Sequence, residues 1–163
     1  MKVLNLVLLS LGQTITSQKI FENKPEHHQL AIKNFIDFLK FDTSHPNPNY
    51  NGTVKYLENI ANQLNLKFTQ FKCQPSGTPS VVLTWPGTDK NLPSVVLNSH
   101  YDVVPVIKDH WTYEPFNATI TKDKEGYDSI YARGSQDVKS LGIMYIEAIR
   151  KLKSEMKAGP LRT

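Results

Sequence analysis

A short apolar run that stops on a histidine and an aspartate constrains this chain more than any other feature. Residues 92–106 read L-P-S-V-V-L-N-S-H-Y-D-V-V-P-V. Val95, Val96 and Leu97 are the β-branched and apolar residues expected of a strand buried on both faces. The run ends abruptly at Asn98, Ser99, His100, Tyr101 and Asp102. In α/β folds ligands gather at the C-terminal edge of such strands, so an imidazole and a carboxylate delivered there sit where chemistry is done. His100 and Asp102 are two positions apart. An extended tip would point both side chains the same way, about 7 Å apart at their roots. The ring could then reach a metal while the carboxylate orients it.

Composition narrows the class. The chain has 163 residues, enough for one domain with a real core, and 39% hydrophobic with 21% charged residues fits a globular protein rather than a disordered one. The net charge of +4 comes from scattered lysines with no run of like charge. A nucleic-acid binder would show a basic stripe interleaved with aromatics, and none is present, so no nucleic-acid or membrane partner is expected. Cys73 is the one cysteine, which excludes an intrachain disulfide and a cysteine zinc site and suggests an inert, half-buried thiol.

Residues 1–17 have the layout of a secretory signal peptide: Lys2, a nine-residue apolar run too short to span a bilayer, then Thr14, Thr16 and Ser17. Export would make the protein secreted; without it the chain is cytoplasmic. The sequons at Asn51 and Asn117, in loop-like sequence, are compatible with export. From Pro25 an amphipathic helix is expected, with Ile32, Phe35, Ile36 and Leu39 on one stripe, ending before the loop D-T-S-H-P-N-P-N-Y-N-G. A second helix follows with Leu57, Ile60, Ala61 and Leu64 buried and Thr53 as a candidate N-cap. His27, His28 and His45 have no acidic partner at useful spacing and read as surface residues.

Three strands are expected at residues 66–73, 80–85 and 94–98, and neighbours among them can pair antiparallel through a short loop. An irregular stretch, 104–125, precedes a short strand around Ile130, Tyr131 and Ala132. A long helix over 136–157 should bury Val138, Leu141, Tyr145, Ile149, Leu152 and Met156, with Ser135 or Gln136 near its start. This order predicts an α/β, three-layer mixed sheet with flanking helices.

Asp137 follows the A-R-G turn at the mouth of that last helix, where a carboxylate is favoured by the helix N-terminus. If the two strands are neighbours, Asp137 and His100 face one crevice, and one imidazole with one or two carboxylates suits zinc. Spacing alone leaves simpler readings open. His and Asp often meet in loops, Asp137 can serve only as a helix N-terminal acid, and Arg133 and the His110-Trp111 pair have sufficient surface or packing roles.

Three motifs in order add weight: L-N-S-H-Y-D-V-V-P-V, H-W-T-Y-E-P-F and I-Y-A-R-G-S-Q-D-V-K-S. Together, from about His28 onward, they resemble the co-catalytic dinuclear-zinc amidohydrolase and exopeptidase family, nearest to its aminoacylase branch, which V-L-T-W-P-G-T also resembles. The resemblance implies that His100 binds one zinc, that Asp137 bridges two, and that Asp102 is the catalytic aspartate that orients His100. It implies a non-proline cis peptide at Asp137–Val138. It further implies hydrolysis of N-acyl-L-amino acids to a carboxylate and a free amino acid, and a homodimer for the full-length protein. A dipeptidase or carboxypeptidase of the same family, or a non-catalytic truncated secreted protein, are the rival expectations.

Departures from the pattern are Tyr101, where a small or hydroxyl residue is commoner, Ser140 in place of Gly, and Asp128-Ser129, which reads as a small insertion. None removes a ligand. The family's general-base Glu, its other ligands and its lid domain are expected outside these 163 residues. Residues 18–163 would then be the N-terminal part of an incomplete catalytic domain, inactive by itself.

Overall fold

The computed structural model describes residues 25–155. The expected leader at 1–17 and Met156 lie outside the described residues. The elements run α1 (Glu26–Leu39), α2 (Tyr50–Gln63), β1 (Lys67–Lys72), β2 (Pro79–Thr84), a 3₁₀ turn (Lys108–His110), β3 (Thr119–Lys122), β4 (Asp128–Tyr131) and α3 (Lys139–Glu155). The result is an α/β arrangement of small sheets with flanking helices.

Both early helices form as their periodicity requires. In α1, Phe35, Phe38 and Leu39 are buried, with Ile32 and Ile36 packed alongside. In α2, Leu57, Ile60 and Ala61 face the same core, followed by Leu64 and Leu66. Each such side chain contributes roughly 1.5–3 kcal/mol by leaving water. The N-cap of α2 is Asn49, whose side chain accepts from the Gly52 N–H at 3.2 Å. Thr53 lies one turn inside the helix, buried, with its hydroxyl donating to the Asn49 carbonyl at 3.1 Å. Asn51 therefore sits in the first turn of α2 rather than in a loop.

Two antiparallel hairpins supply the strands. β1 pairs with β2 from Lys67↔Thr84 to Lys72↔Pro79, and α2 packs on this hairpin. Cys73, at its turn, is exposed rather than half-buried, with Sγ 3.0 Å from the Ser80 hydroxyl. β3 pairs with β4 from Thr119↔Tyr131 to Lys122↔Asp128. β3 falls inside the stretch expected to be irregular: four residues give too short a pattern for alternation to be read. Asp128 and Ser129 open β4, and Asp128 pairs with Lys122 at 2.8 Å. The β3–β4 turn is closed by Asp123, whose Oδ1 accepts from the N–H groups of Glu125 and Tyr127 at 3.0 and 2.8 Å.

The expected strand at 94–98 does not form. No described strand pairs with it, and Val95, Val96 and Leu97 are 77%, 83% and 52% exposed. A doubly buried strand needs a neighbour on each edge and a layer on each face. No described residue supplies them, so the two hairpins are separate two-stranded sheets instead of a three-layer mixed sheet.

α3 starts at Lys139, three residues later than expected, and turns a different stripe inward. Ile143 and Ile146 are buried with Ile149 against α1, whereas Leu152 is 45% exposed. α3 carries two adjacent apolar stripes, and packing on α1 chooses between them. Asn34 fixes the choice by donating to Glu147 Oε1 at 2.7 Å, and Glu147 Oε2 takes Arg150 Nε at 2.9 Å. At the other end of this interface the fully buried Lys139 donates to the carbonyls of Phe41 and Phe38 at 2.7 and 3.3 Å. Its ammonium thus caps the C-terminal end of α1, where a cation is favoured. Burial lowers its pKa to about 8, against a smaller raising effect of Asp42.

Candidate metal centre

The His100 tip is held by the α1–α2 loop rather than by a sheet. Ser44 bridges Val103 in parallel register, Val103 N–H donates to the Thr43 carbonyl at 3.2 Å, and the Thr43 hydroxyl donates to the Tyr101 carbonyl. Tyr101 anchors the other side. Its hydroxyl donates to the Pro79 carbonyl on β2, and its ring meets Tyr50 edge-on at 5.6 Å. Burial, with smaller effects of Tyr50, Cys73 and Asp102, pushes the Tyr101 phenol up to about 12. The residue that departs from the family pattern is therefore a brace between the tip and the first hairpin.

Asp137 arrives from the turn between β4 and α3. Ser135 closes that turn by donating to the Ala132 carbonyl at 2.9 Å. Gly134 has φ +82° and lies so close to Val103 that an added Cβ would sit 2.7 Å from Cγ1. Only glycine fits both the left-handed conformation and the close approach. The Asp137–Val138 peptide is cis, as the resemblance implied. Ser99 ties the two segments together by donating to the Val138 carbonyl at 3.1 Å.

These tethers bring the three named side chains together. His100 Nδ1 lies 3.2 Å from Asp102 Oδ1 and 3.0 Å from the Asp102 carbonyl. On the other side of the ring, Nε2 lies 3.1 Å from Asp137 Oδ1. The ring is thus held between Asp102 on its Nδ1 side and Asp137 on its Nε2 side. Asp137 is 85% exposed and His100 49%, so both reach open space. The crevice they line has a volume of about 380 Å³.

The donors suit a divalent cation. A tetrahedral zinc with bonds of about 2.0–2.1 Å separates neighbouring donors by about 3.3 Å, and Nε2 and Oδ1 stand at 3.1 Å. An imidazole and a carboxylate are zinc ligands of the ordinary kind. Among the described residues no group of three or more His, Cys, Asp or Glu side chains is disposed around one metal position.

His45, Trp111 and Arg133 are among the further residues that line the crevice. His45, read from sequence as a surface residue, is exposed but comes to the site on the Thr43–Ser44 bridge, with Nε2 3.4 Å from the Tyr50 hydroxyl. Nothing in the spacing of S-H-P signals that pairing, which is made across the fold. His27 and His28 lie on exposed α1 positions, away from the crevice lining.

Residues 96–162, a span that includes His100 and Asp137, match peptidase family M20/M25/M40. Mouse (Mus musculus) aminoacylase-1 is 51% identical over 131 residues, 80% of this chain and 31% of that protein. The human (Homo sapiens) aminoacylase-1 is 47% identical over the same shares. A probable carboxypeptidase S-like 1 from Dictyostelium discoideum is 30% identical over 135 residues, 82% of this chain and 27% of that protein. The chain spans about a third of the length of the curated relatives it matches. On these matches, the chain belongs to peptidase family M20/M25/M40 and, over about four fifths of its length, is aminoacylase-1-like.

Proposed function

We propose that this chain contributes one side of a two-zinc centre that, in a longer protein, hydrolyses the amide bond of N-acyl-L-amino acids. The contact that carries this reading is His100 Nε2 at 3.1 Å from Asp137 Oδ1, with the far ring nitrogen engaged by Asp102. In this reading His100 would hold one zinc and Asp137 would be shared by both. When bound, zinc supplies Lewis acidity at the acyl carbonyl. The chain's own residues do the positioning. Asp102 keeps the proton on Nδ1 and fixes the ring plane, the Ser99–Val138 tie sets the spacing of the two donors, and Gly134 lets the Asp137 turn lie against Val103.

The aminoacylase reading is favoured over a carboxypeptidase by identities of 47–51% against 30%. Residues 94–98 would be a strand of a three-layer mixed sheet in that longer protein, which would cover Val95 and Val96. Homodimerisation of the longer protein, and export directed by residues 1–17, belong to the same proposal.

Zinc titration of the 163-residue chain tests the pair, with His100→Ala and Asp137→Ala each expected to remove most of the binding. The chain alone should turn over N-acetyl-L-methionine little, because two donors leave the coordination of two zincs unfilled. In the longer protein either substitution should abolish hydrolysis, and unchanged activity in either would reject the assignment.

A further inference from the structure

Two stretches of this chain carry the Asn-X-Thr signal for N-linked glycosylation, Asn51-Gly52-Thr53 and Asn117-Ala118-Thr119, and the fold treats them differently. Both asparagines are exposed, and neither side-chain amide is hydrogen-bonded among the described residues. The difference lies in the hydroxyl two positions on. At Asn51 the signal is wound into the first turn of α2. Thr53 is fully buried, and its hydroxyl is spent on the Asn49 carbonyl at 3.1 Å. Gly52 lies against the Phe41 ring, where an added Cβ would sit 2.9 Å from Cδ1. Asn117 instead stands in the turn that leads into β3, its N–H donating to the Glu114 carbonyl at 3.1 Å. Thr119 there is half-buried, and its hydroxyl has no partner among the described residues.

Transfer needs the amide nitrogen and the threonine hydroxyl together, on chain that is open to the transferase. A surface loop therefore accepts a glycan where a packed helix start does not. The elements that close α2 are also local: α1 precedes it, and the β1–β2 hairpin on which it packs follows at once. Helices and hairpins form within about 10 μs, whereas synthesis adds about 5–20 residues per second. α2 is thus wound before much more chain has been made. Resting on the export proposed above for residues 1–17, we propose that Asn117 is an N-glycosylation site of this protein and that α2 withholds Asn51. The donor is an oligosaccharide carried on a lipid pyrophosphate. Asn117 Nδ2 bonds to C1 of the first sugar as the C1–O bond to the pyrophosphate breaks; the pyrophosphate leaves on its lipid, and one amide proton goes to solvent. Asn117 is not among the residues that line the crevice of His100 and Asp137, so the attachment point stands off that site.

The test expresses the 163-residue chain in cultured insect cells, once with its own N-terminus and once with residues 1–17 replaced by an established signal peptide. Enzymatic release of N-glycans in heavy-oxygen water, followed by peptide mass spectrometry, reads the occupancy of each asparagine. The mature N-terminus, read in the same digest, shows which molecules entered the lumen. Among those, Asn117 should be occupied in most and Asn51 in few. Asn117→Gln should remove most of the glycan, and Asn51→Gln little of it. Leu57→Asp, which puts a charge on the buried face of α2 and unseats the helix, should raise Asn51 occupancy severalfold. Occupancy is read on peptides, so misfolding of that variant is its purpose. A lumenal chain bare at Asn117, equal occupancy of the two asparagines, or Asn51 occupancy unmoved by Leu57→Asp overturns the proposal. If the replaced leader gives glycan at Asn117 and the native N-terminus gives none, the export reading alone fails.

Discussion

His100 and Asp137, 37 positions apart in the chain, meet at 3.1 Å through Nε2 and Oδ1. Neither position is fixed by a shared sheet. The histidine is carried on a tip tied to the α1–α2 loop, the aspartate on a glycine turn, and Ser99 spans between them.

In the proposed centre Asp102 would act on the metal only through the ring, so its removal should weaken rather than abolish zinc binding. Asp102→Asn is expected to lower zinc affinity about 10–100-fold, the range for a partner that orients a ligating histidine. His100→Ala and Asp137→Ala should cost more. Calorimetric titration of the three variants gives the order, and an Asp102 variant worse than both would contradict it.

Gly134→Ala should be among the most damaging small substitutions. It combines a φ of +82° with a Cβ placed 2.7 Å from Val103 Cγ1. A loss of about 2–3 kcal/mol is expected in urea unfolding. Adding Val103→Ala should restore only part of it, since the backbone strain stays.

Tyr56 gives a pH signature. Burial, then Asp37 and Glu147, raise its phenol well above the ordinary 10.0, and its hydroxyl donates to the Asn34 carbonyl at 2.8 Å. As pH rises through 10 the unfolded chain loses this proton while the folded chain keeps it, so stability falls. At pH 8 Tyr56→Phe should be less stable by about 1 kcal/mol. That gap should shrink steadily toward pH 11 in urea midpoints, and a gap that widens would reverse the sign.

Tyr101→Phe tests the brace between the tip and β2. Loss of the hydroxyl bond to Pro79 should cost about 1 kcal/mol while the ring contact with Tyr50 persists. Zinc affinity should change little, because the Thr43–Tyr101 and Ser44–Val103 links remain.

Local pattern made much of this legible. The stripes of α1 and α2 follow from helical spacing, and the H-x-D tip with Asp137 was visible as a convergence of ligand types. What spacing could not show was set by distant partners. The inward face of α3 was decided by Asn34 and Glu147, residues 113 positions apart. His45 joined the crevice through a bridge to Val103. Val95 and Val96 carry the composition of a buried strand, but composition states only a demand for neighbours, and among the described residues that demand is unmet.

The crossing of Ser99 with Val138 beside His100 and Asp137 has a thermodynamic corollary. A cation gripping both segments closes a long loop, and unfolding must release it. Folding and occupancy then rise together by mass action: free zinc at 100 times its dissociation constant would add about 2.7 kcal/mol to the native state. A chelator should accordingly lower the melting temperature of the wild-type chain and leave that of Asp137→Ala unmoved.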